Sequence, residues 1–233
     1  MIDLECARLE REFLADPSNE ALAQLLWRNV QRTRPVIDGQ SLEHWFGLLD
    51  SDDETGPYEA VKVLKRLGPS LLWPALEKLE SDKSRTRALA LFLLEGLGPT
   101  VCLALPRAKQ LILNPIEDYS AARVIASVDS QEAFDFLYEL VGAKDNPILS
   151  DAALKGFAGN KRHGPKILAS FLSHERLTIV RSAITALGSM GVAAESEVPK
   201  LIPFLNSQDS KLKKLSKEAL KLIVSPTKTI GLV

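Results

Sequence analysis

The stretch LKRLGPSLLWPALEKL, Leu64–Leu79, keeps apolar residues at helical spacing on both sides of two prolines. Gly68 suits a helix C-cap, and Pro69 suits the first turn of a following helix, where its missing N–H has no intrahelical partner to lose. Gly68-Pro69 therefore reads as a joint between two helices. Pro74, further along, is expected to bend the second helix by removing one backbone bond and crowding the preceding turn. The same punctuation returns at Gly98-Pro99 followed by Pro106, and at Pro199 followed by Pro203, which predicts the same bend in both places.

Outward from this joint, the helix ends LKRLGP (64–69), LEGLGP (94–99), IASVDS (125–130), LKGFAGN (154–160), LGSMGV (187–192) and LKLIVSP (220–226) can be aligned. The position of Gly68 recurs at Gly98, Asp129, about Gly159, Gly191 and about Val224, so the steps are 30, 31, about 30, 32 and about 33. A fixed period of this kind is the signature of a repeat array. Within the last unit, Val198, Leu201, Ile202 and Leu205 mark a first helix, NSQDS a turn, and Leu212, Leu215, Ala219, Leu220 and Ile223 a second helix. One such pair cannot cover both of its apolar faces, whereas a neighbouring pair stacked alongside can. The expected fold class is all-α: an α-solenoid of about six helix pairs, preceded by a helical cap.

The boundaries follow from the same pattern. Residues 1–40 read as a cap of two helices joined by ADPSNE, with Ser18 or Asp16 as the cap of the second, and RPVIDGQ (34–40) as a linker. The repeats then occupy 41–68, 69–98, 99–129, 130–159, 160–191 and 192–224, as one continuous structural domain. The segment 225–233 has no helical pattern and reads as a frayed tail. Period-two alternation is scarce, so no hairpin is expected.

The units VPKLIPFLNSQDSKLKKLSKEALKLI, LLWPALEKLESDKSRTRALALFLLEGLG and ILASFLSHERLTIVRSAITALGSMG resemble HEAT repeats: P-x-L-x-x-L, an Asp-containing turn, then a basic residue shortly before A-x-x-x-L-G. The short period is similar to that of the compact HEAT-like repeats of phycobilisome-lyase-type proteins. The resemblance spans roughly 41–224 and implies an armadillo-like helical array whose second helices line a concave groove that binds macromolecules.

Composition narrows the function classes. The chain has 233 residues with 29 Lys+Arg against 30 Asp+Glu, close to neutral overall. The charge is unevenly placed: 9 basic against 15 acidic residues in 1–80, 8 against 10 in 81–160, and 12 against 5 in 161–233. No apolar run approaches the roughly 20 residues of a membrane span, and the N-terminus lacks a signal-peptide pattern, so a cytoplasmic protein with no membrane partner is expected. Cys6 and Cys102 lie in apolar helical patterns and read as buried free thiols.

No nucleophile motif, phosphate loop or H-E-x-x-H is present, so no enzyme and no cofactor or metal is expected. His174-Glu175 is the one His-Glu pair, whereas HEAT-repeat hydroxylases bind iron through several such pairs, so it reads as a surface turn. A bilin-lyase-like or metal-dependent HEAT enzyme is an alternative that rests on fold likeness alone. Trp27, Trp45 and Trp73 read as packing residues at helix seams.

The candidate binding residues are basic side chains of the second helices: Arg85, Arg87, Arg123, Lys155, Arg181, Lys213, Lys214, Lys217 and Lys221. Lys214, Lys217 and Lys221 share one face of the last helix. A basic stripe of this kind fits an acidic protein surface, which makes a protein partner the first reading and a nucleic acid the alternative. No Trp or Tyr interleaves the basic region to stack on bases.

Overall fold

Asn19 opens the second helix by accepting the Leu22 N–H on its side chain at 3.2 Å, while Ser18 donates to Asp16 instead of capping. The computed structural model describes residues 4–143 and 146–224. Helices α1 (Leu4–Ala15) and α2 (Glu20–Thr33) pack on each other through Leu9, Phe13, Leu26 and Val30, all buried. The expected linker is a small hairpin, β1 (Val36–Ile37) and β2 (Gln40–Ser41). Its turn is Asp38-Gly39, with φ of 52° and 79°, the left-handed pair that suits a two-residue hairpin loop. The Trp45 indole N–H donates to the Ile37 carbonyl at 3.0 Å and fastens the hairpin to the next helix.

Beyond the hairpin the described chain is helical. The helices are α3 (Leu42–Leu48), α4 (Gly56–Leu64), α5 (Leu72–Lys78), α6 (Ser84–Leu94), α7 (Leu105–Leu111), α8 (Asp118–Ser127), α9 (Gln131–Gly142) and α10 (Pro147–Gly159). They continue with α11 (Gly164–Ser170), α12 (Leu177–Ser189), α13 (Val198–Leu201) and α14 (Ser210–Val224). The fold is all-α, and each residue range assigned to a repeat holds two helical stretches. The expected tail, 225–233, lies outside the described residues.

The register of the sequence alignment reappears in the backbone. Gly68, Gly98, Asp129 and Gly191 all have positive φ, at 57°, 63°, 58° and 56°. Each lies two to four residues past the end of a second helix and turns the chain through the left-handed region. Glycine enters that region without a Cβ penalty, and Asp is among the few other residues that tolerate it, which explains the one substitution. Gly159 differs: it stays inside α10, and the break comes at Asn160, whose side chain accepts the N–H groups of Arg162 and His163.

The expected kinks at Pro74, Pro106 and Pro203 do not form inside helices. A 3₁₀ turn precedes α5 and α7 (65–71 and 98–104), and Pro74 and Pro106 then fall in the first turn of those helices. Pro203 falls in the first turn of the 3₁₀ segment 202–206. First-turn N–H groups have no intrahelical acceptor, so proline costs little there, and the chain avoids the bend by restarting the helix.

The chain falls into two compact units, 1–133 and 134–233. In the first, α2 packs on α5, α4 on α6, and α6 on α8. Helix α6 is covered on most sides, with Leu89, Ala90, Leu91, Leu93 and Leu94 buried, as its nearly unbroken apolar sequence requires. Each leucine of this kind contributes about 1.5–3 kcal/mol on burial. In the second unit, α10 packs on α12 and α12 on α14, and Phe134, Tyr138, Phe157 and Phe171 form a cluster of rings 5.3–6.4 Å apart.

Candidate functional site

Helix α14 begins where Asp209 accepts the backbone N–H groups of Lys211 and Leu212 at 2.9 and 3.0 Å. These bonds, with the Arg181 guanidinium beside it, hold the Asp209 carboxyl below its usual range. Its stabilising effect is present above the ordinary carboxylate pKa and is lost as pH falls through the lowered one. Leu212, Ser216, Ala219 and Ile223 form the buried stripe of α14. The opposite face carries Lys213, Lys214, Lys217 and Lys221, all exposed. Among the described residues the nearest carboxylate to any of them is that of Glu218, 4.0 Å from Lys214, with both side chains in solvent. A pair so exposed contributes little, so the stripe keeps its positive field.

The other five candidates are engaged. Arg85 donates to the carbonyls of Asp53 and Glu54 at 2.8 and 3.4 Å. Arg87, with 13% of its side chain exposed, pairs with the fully buried Glu117 at 2.7 Å and also donates to Ser81, Asp82 and Ser84. Arg123 pairs with Glu95 at 3.2 Å, Lys155 with Asp151 at 2.9 Å, and Arg181 with Asp209. Of the nine candidate cations, four are therefore exposed lysines together on α14, and five are side chains already bonded to carbonyls or carboxylates elsewhere, two of them, Arg85 and Arg123, also exposed.

The fasteners have a regular reach. Arg66–Asp38, Lys78–Asp50 and Arg181–Asp209 each join residues 28 apart, and Arg123–Glu95 repeats that separation. Lys78–Asp50, Arg123–Glu95 and Arg181–Asp209 each tie one helix pair to the next, and Arg66–Asp38 ties the hairpin turn to the first pair. Helical phase along a single segment does not reveal such pairs. The signal is a basic residue recurring about one repeat length from a carboxylate.

Around Glu95 the first unit holds a second charged cluster. Burial raises the Glu95 carboxyl above its usual range, against the opposing effects of Arg123, Lys65 and the Ser120 hydroxyl. Burial likewise lowers the Lys65 ammonium, which sits 3.9 Å from the centre of the Phe92 ring. A raised carboxyl means that the native state binds its proton at a higher pH than the unfolded chain does. Stability should then fall as pH rises from 4.5 through the raised pKa. Urea midpoints measured across that range should show the decline, and Glu95→Gln should flatten it. Equal slopes for the two proteins would assign the pH dependence elsewhere.

In the second unit a cavity of about 180 Å³ lies between α10 and α12. Its polar groups serve the fold: Arg176 donates to the Val141 and Ala143 carbonyls, and the Ser150 hydroxyl lies against the carbonyls of Leu140 and Val141. His174 accepts the Arg176 N–H at 3.0 Å, a local turn contact. Among the described residues no group of three or more His, Cys, Asp or Glu side chains is placed to hold a metal ion. Cys6 and Cys102 are half-buried and form no disulfide, and burial raises the Cys102 thiol. No described helix is long and apolar enough to cross a membrane.

No protein-family model matches the chain, and no curated protein matches it. Among solved structures it is similar to two engineered proteins, each 19% identical to it. The first is matched over 79% of this chain and 96% of the other, with a TM-score of 0.41. The second is matched over 78% of this chain and 57% of the other, with a TM-score of 0.38.

Proposed function

We propose that the protein is a non-enzymatic scaffold or adaptor, an α-solenoid of HEAT-like repeats that binds an acidic surface of a protein partner through the lysine face of α14. The positive-φ joints at Gly68, Gly98, Asp129 and Gly191 support repeated, stacked helix pairs. So do the ion pairs that reach 28 residues. The observation that carries the binding site is the contrast between two sets of cations. Lys213, Lys214, Lys217 and Lys221 are exposed together on one helix face, while the other candidate cations are spent on carbonyls and carboxylates.

A solvated lysine face steers association more than it holds a complex together. For a polyglutamate peptide as a stand-in for the acidic surface, Lys214→Glu/Lys217→Glu is expected to slow association about tenfold with little change in dissociation. Stopped-flow binding at about 50 and 200 mM salt reads both rates, and association should weaken at the higher salt. Indifference of binding to the charge reversal would remove α14 as the site. The same titration with duplex DNA addresses the alternative, since four adjacent lysines also suit phosphates. DNA binding that is tighter than peptide binding and collapses at the higher salt would assign the face to nucleic acid.

A further inference from the structure

Of the three tryptophans, Trp27 and Trp45 are 7% and 9% exposed, as seam residues should be. Trp73 is different. Half-buried on α5, it lines an open cleft of about 380 Å³ with Leu76, Leu103 and Pro106. Its one polar atom is already satisfied, because the indole N–H donates to a Glu77 carboxylate oxygen at 2.8 Å. The ring therefore presents an apolar plate to the cleft, and an incoming group need not supply an acceptor.

The rim is mostly acidic. Glu20, Glu77 and Glu80 line it, all exposed, and the single cation among the lining residues is Arg107. Arg107 pairs with Glu80 at 3.2 Å and donates to the Leu79 carbonyl and the Gln110 side chain, which leaves Glu20 and Glu77 as the rim carboxylates without a cation partner among the lining residues. On the other side of Glu77 lies a smaller cleft of about 200 Å³ lined by Trp27, Phe46 and Pro74, with Glu43 at its edge. Its one cation, Lys78, is held by Asp50. The two clefts flank Glu77 on α5, and in each the single lining cation, Arg107 or Lys78, is already paired with a carboxylate.

We propose that this paired cleft is a docking site for a basic amphipathic helix of a partner protein, which would seat large apolar side chains on the Trp73 floor and set lysines or arginines against Glu20, Glu43, Glu77 and Glu80. The floor has room for one or two apolar anchors, and spaced apolar anchors are how an amphipathic helix enters a groove. The carboxylates exclude acidic segments and give the surface its selectivity. A second copy of this chain is a poorer occupant, because the apolar stripe of its basic helix α14 is buried in its own fold. This site is separate from the lysine face and selects the opposite charge.

An amphipathic Leu/Lys helical peptide is the probe, with its Leu/Glu counterpart as control. Titrated into the full chain at about 50 mM salt, the Leu/Lys peptide is expected to shift the tryptophan emission, and Trp73→Phe should remove most of the shift, leaving the part that comes from Trp27 in the smaller cleft. Glu77→Lys/Glu80→Lys, a surface change that leaves the core intact, should weaken binding about tenfold or more, as loss of charge complementarity at a small interface does. Equal binding of the Leu/Glu peptide, or an unchanged affinity in the Glu77→Lys/Glu80→Lys variant, would overturn the assignment. So would concentration-dependent self-association, seen by sedimentation, that the same variant abolishes, since the cleft would then belong to a second copy.

Discussion

Arg87→Met is expected to destabilise the first unit by about 3–5 kcal/mol, because it leaves the Glu117 carboxylate buried without its counter-ion. Glu117 is completely enclosed, and both the Nε and Nη2 atoms of Arg87 reach Oε1, at 2.9 and 2.7 Å. The same guanidinium also gathers the Ser81 and Asp82 carbonyls and the Ser84 hydroxyl, so one substitution orphans several acceptors at the start of α6. Guanidinium denaturation followed by circular dichroism reads the loss as a lower midpoint. The double change Arg87→Met/Glu117→Leu should recover much of it, since a paired apolar replacement of a buried ion pair is often neutral or stabilising. A midpoint unmoved by Arg87→Met would mean that the pair carries no net stabilisation.

The second large effect is expected at Gly188. A Cβ built there would lie 2.9 Å from both the Cα and the Cβ of Ala219, so α12 and α14 meet at a contact that only glycine permits. Gly188→Leu should force the helices apart and cost about 3 kcal/mol or more, the upper range for overpacking. For a cooperative unit of about 100 residues that is a fall in Tm of roughly 12–24 °C. Because α14 also carries the lysine face, binding of polyglutamate should weaken in the same variant, although no lysine is changed. An unaltered melting curve would show that the helices can slide past the new side chain.

Much of the fold is legible in the chain, and for a definite reason. A repeat writes the same backbone event at fixed intervals, and Gly68, Gly98 and Gly191 mark it with the residue that positive φ selects. Asp129 is recognisable only by its place in the alignment. The hairpin escapes a reading by pattern, although Asp38-Gly39 is the dipeptide its turn prefers, because strands of two residues leave no alternation to detect. The prolines suggest bends because sequence shows the missing donor but not where the helix restarts.

The site is less legible than the fold. Helical phase correctly places Lys214, Lys217 and Lys221 on one face, since that depends only on local geometry. It does not reveal that Arg87, Arg123 and Arg181 are taken up by carboxylates 28 to 30 residues away, which depends on what stacks against each helix. In sequence Trp73 looks like the other two tryptophans, and only the exposure of its ring separates it from them.

The 28-residue reach shared by Lys78–Asp50, Arg123–Glu95 and Arg181–Asp209 has a consequence for how the chain tolerates insertions. One extra residue inside a helix advances everything beyond it by about 1.5 Å and rotates it by roughly 100°, which carries a guanidinium away from its carboxylate. Such an insertion between Asp50 and Lys78, or between Arg181 and Asp209, breaks a link between neighbouring pairs as well as the helix it enters. Adding a whole pair, with its own donor and acceptor, replaces the one link that spans the joint with two of the same reach and leaves the others as they were. Single-residue insertions should therefore cost more stability than changes of length by a whole helix pair.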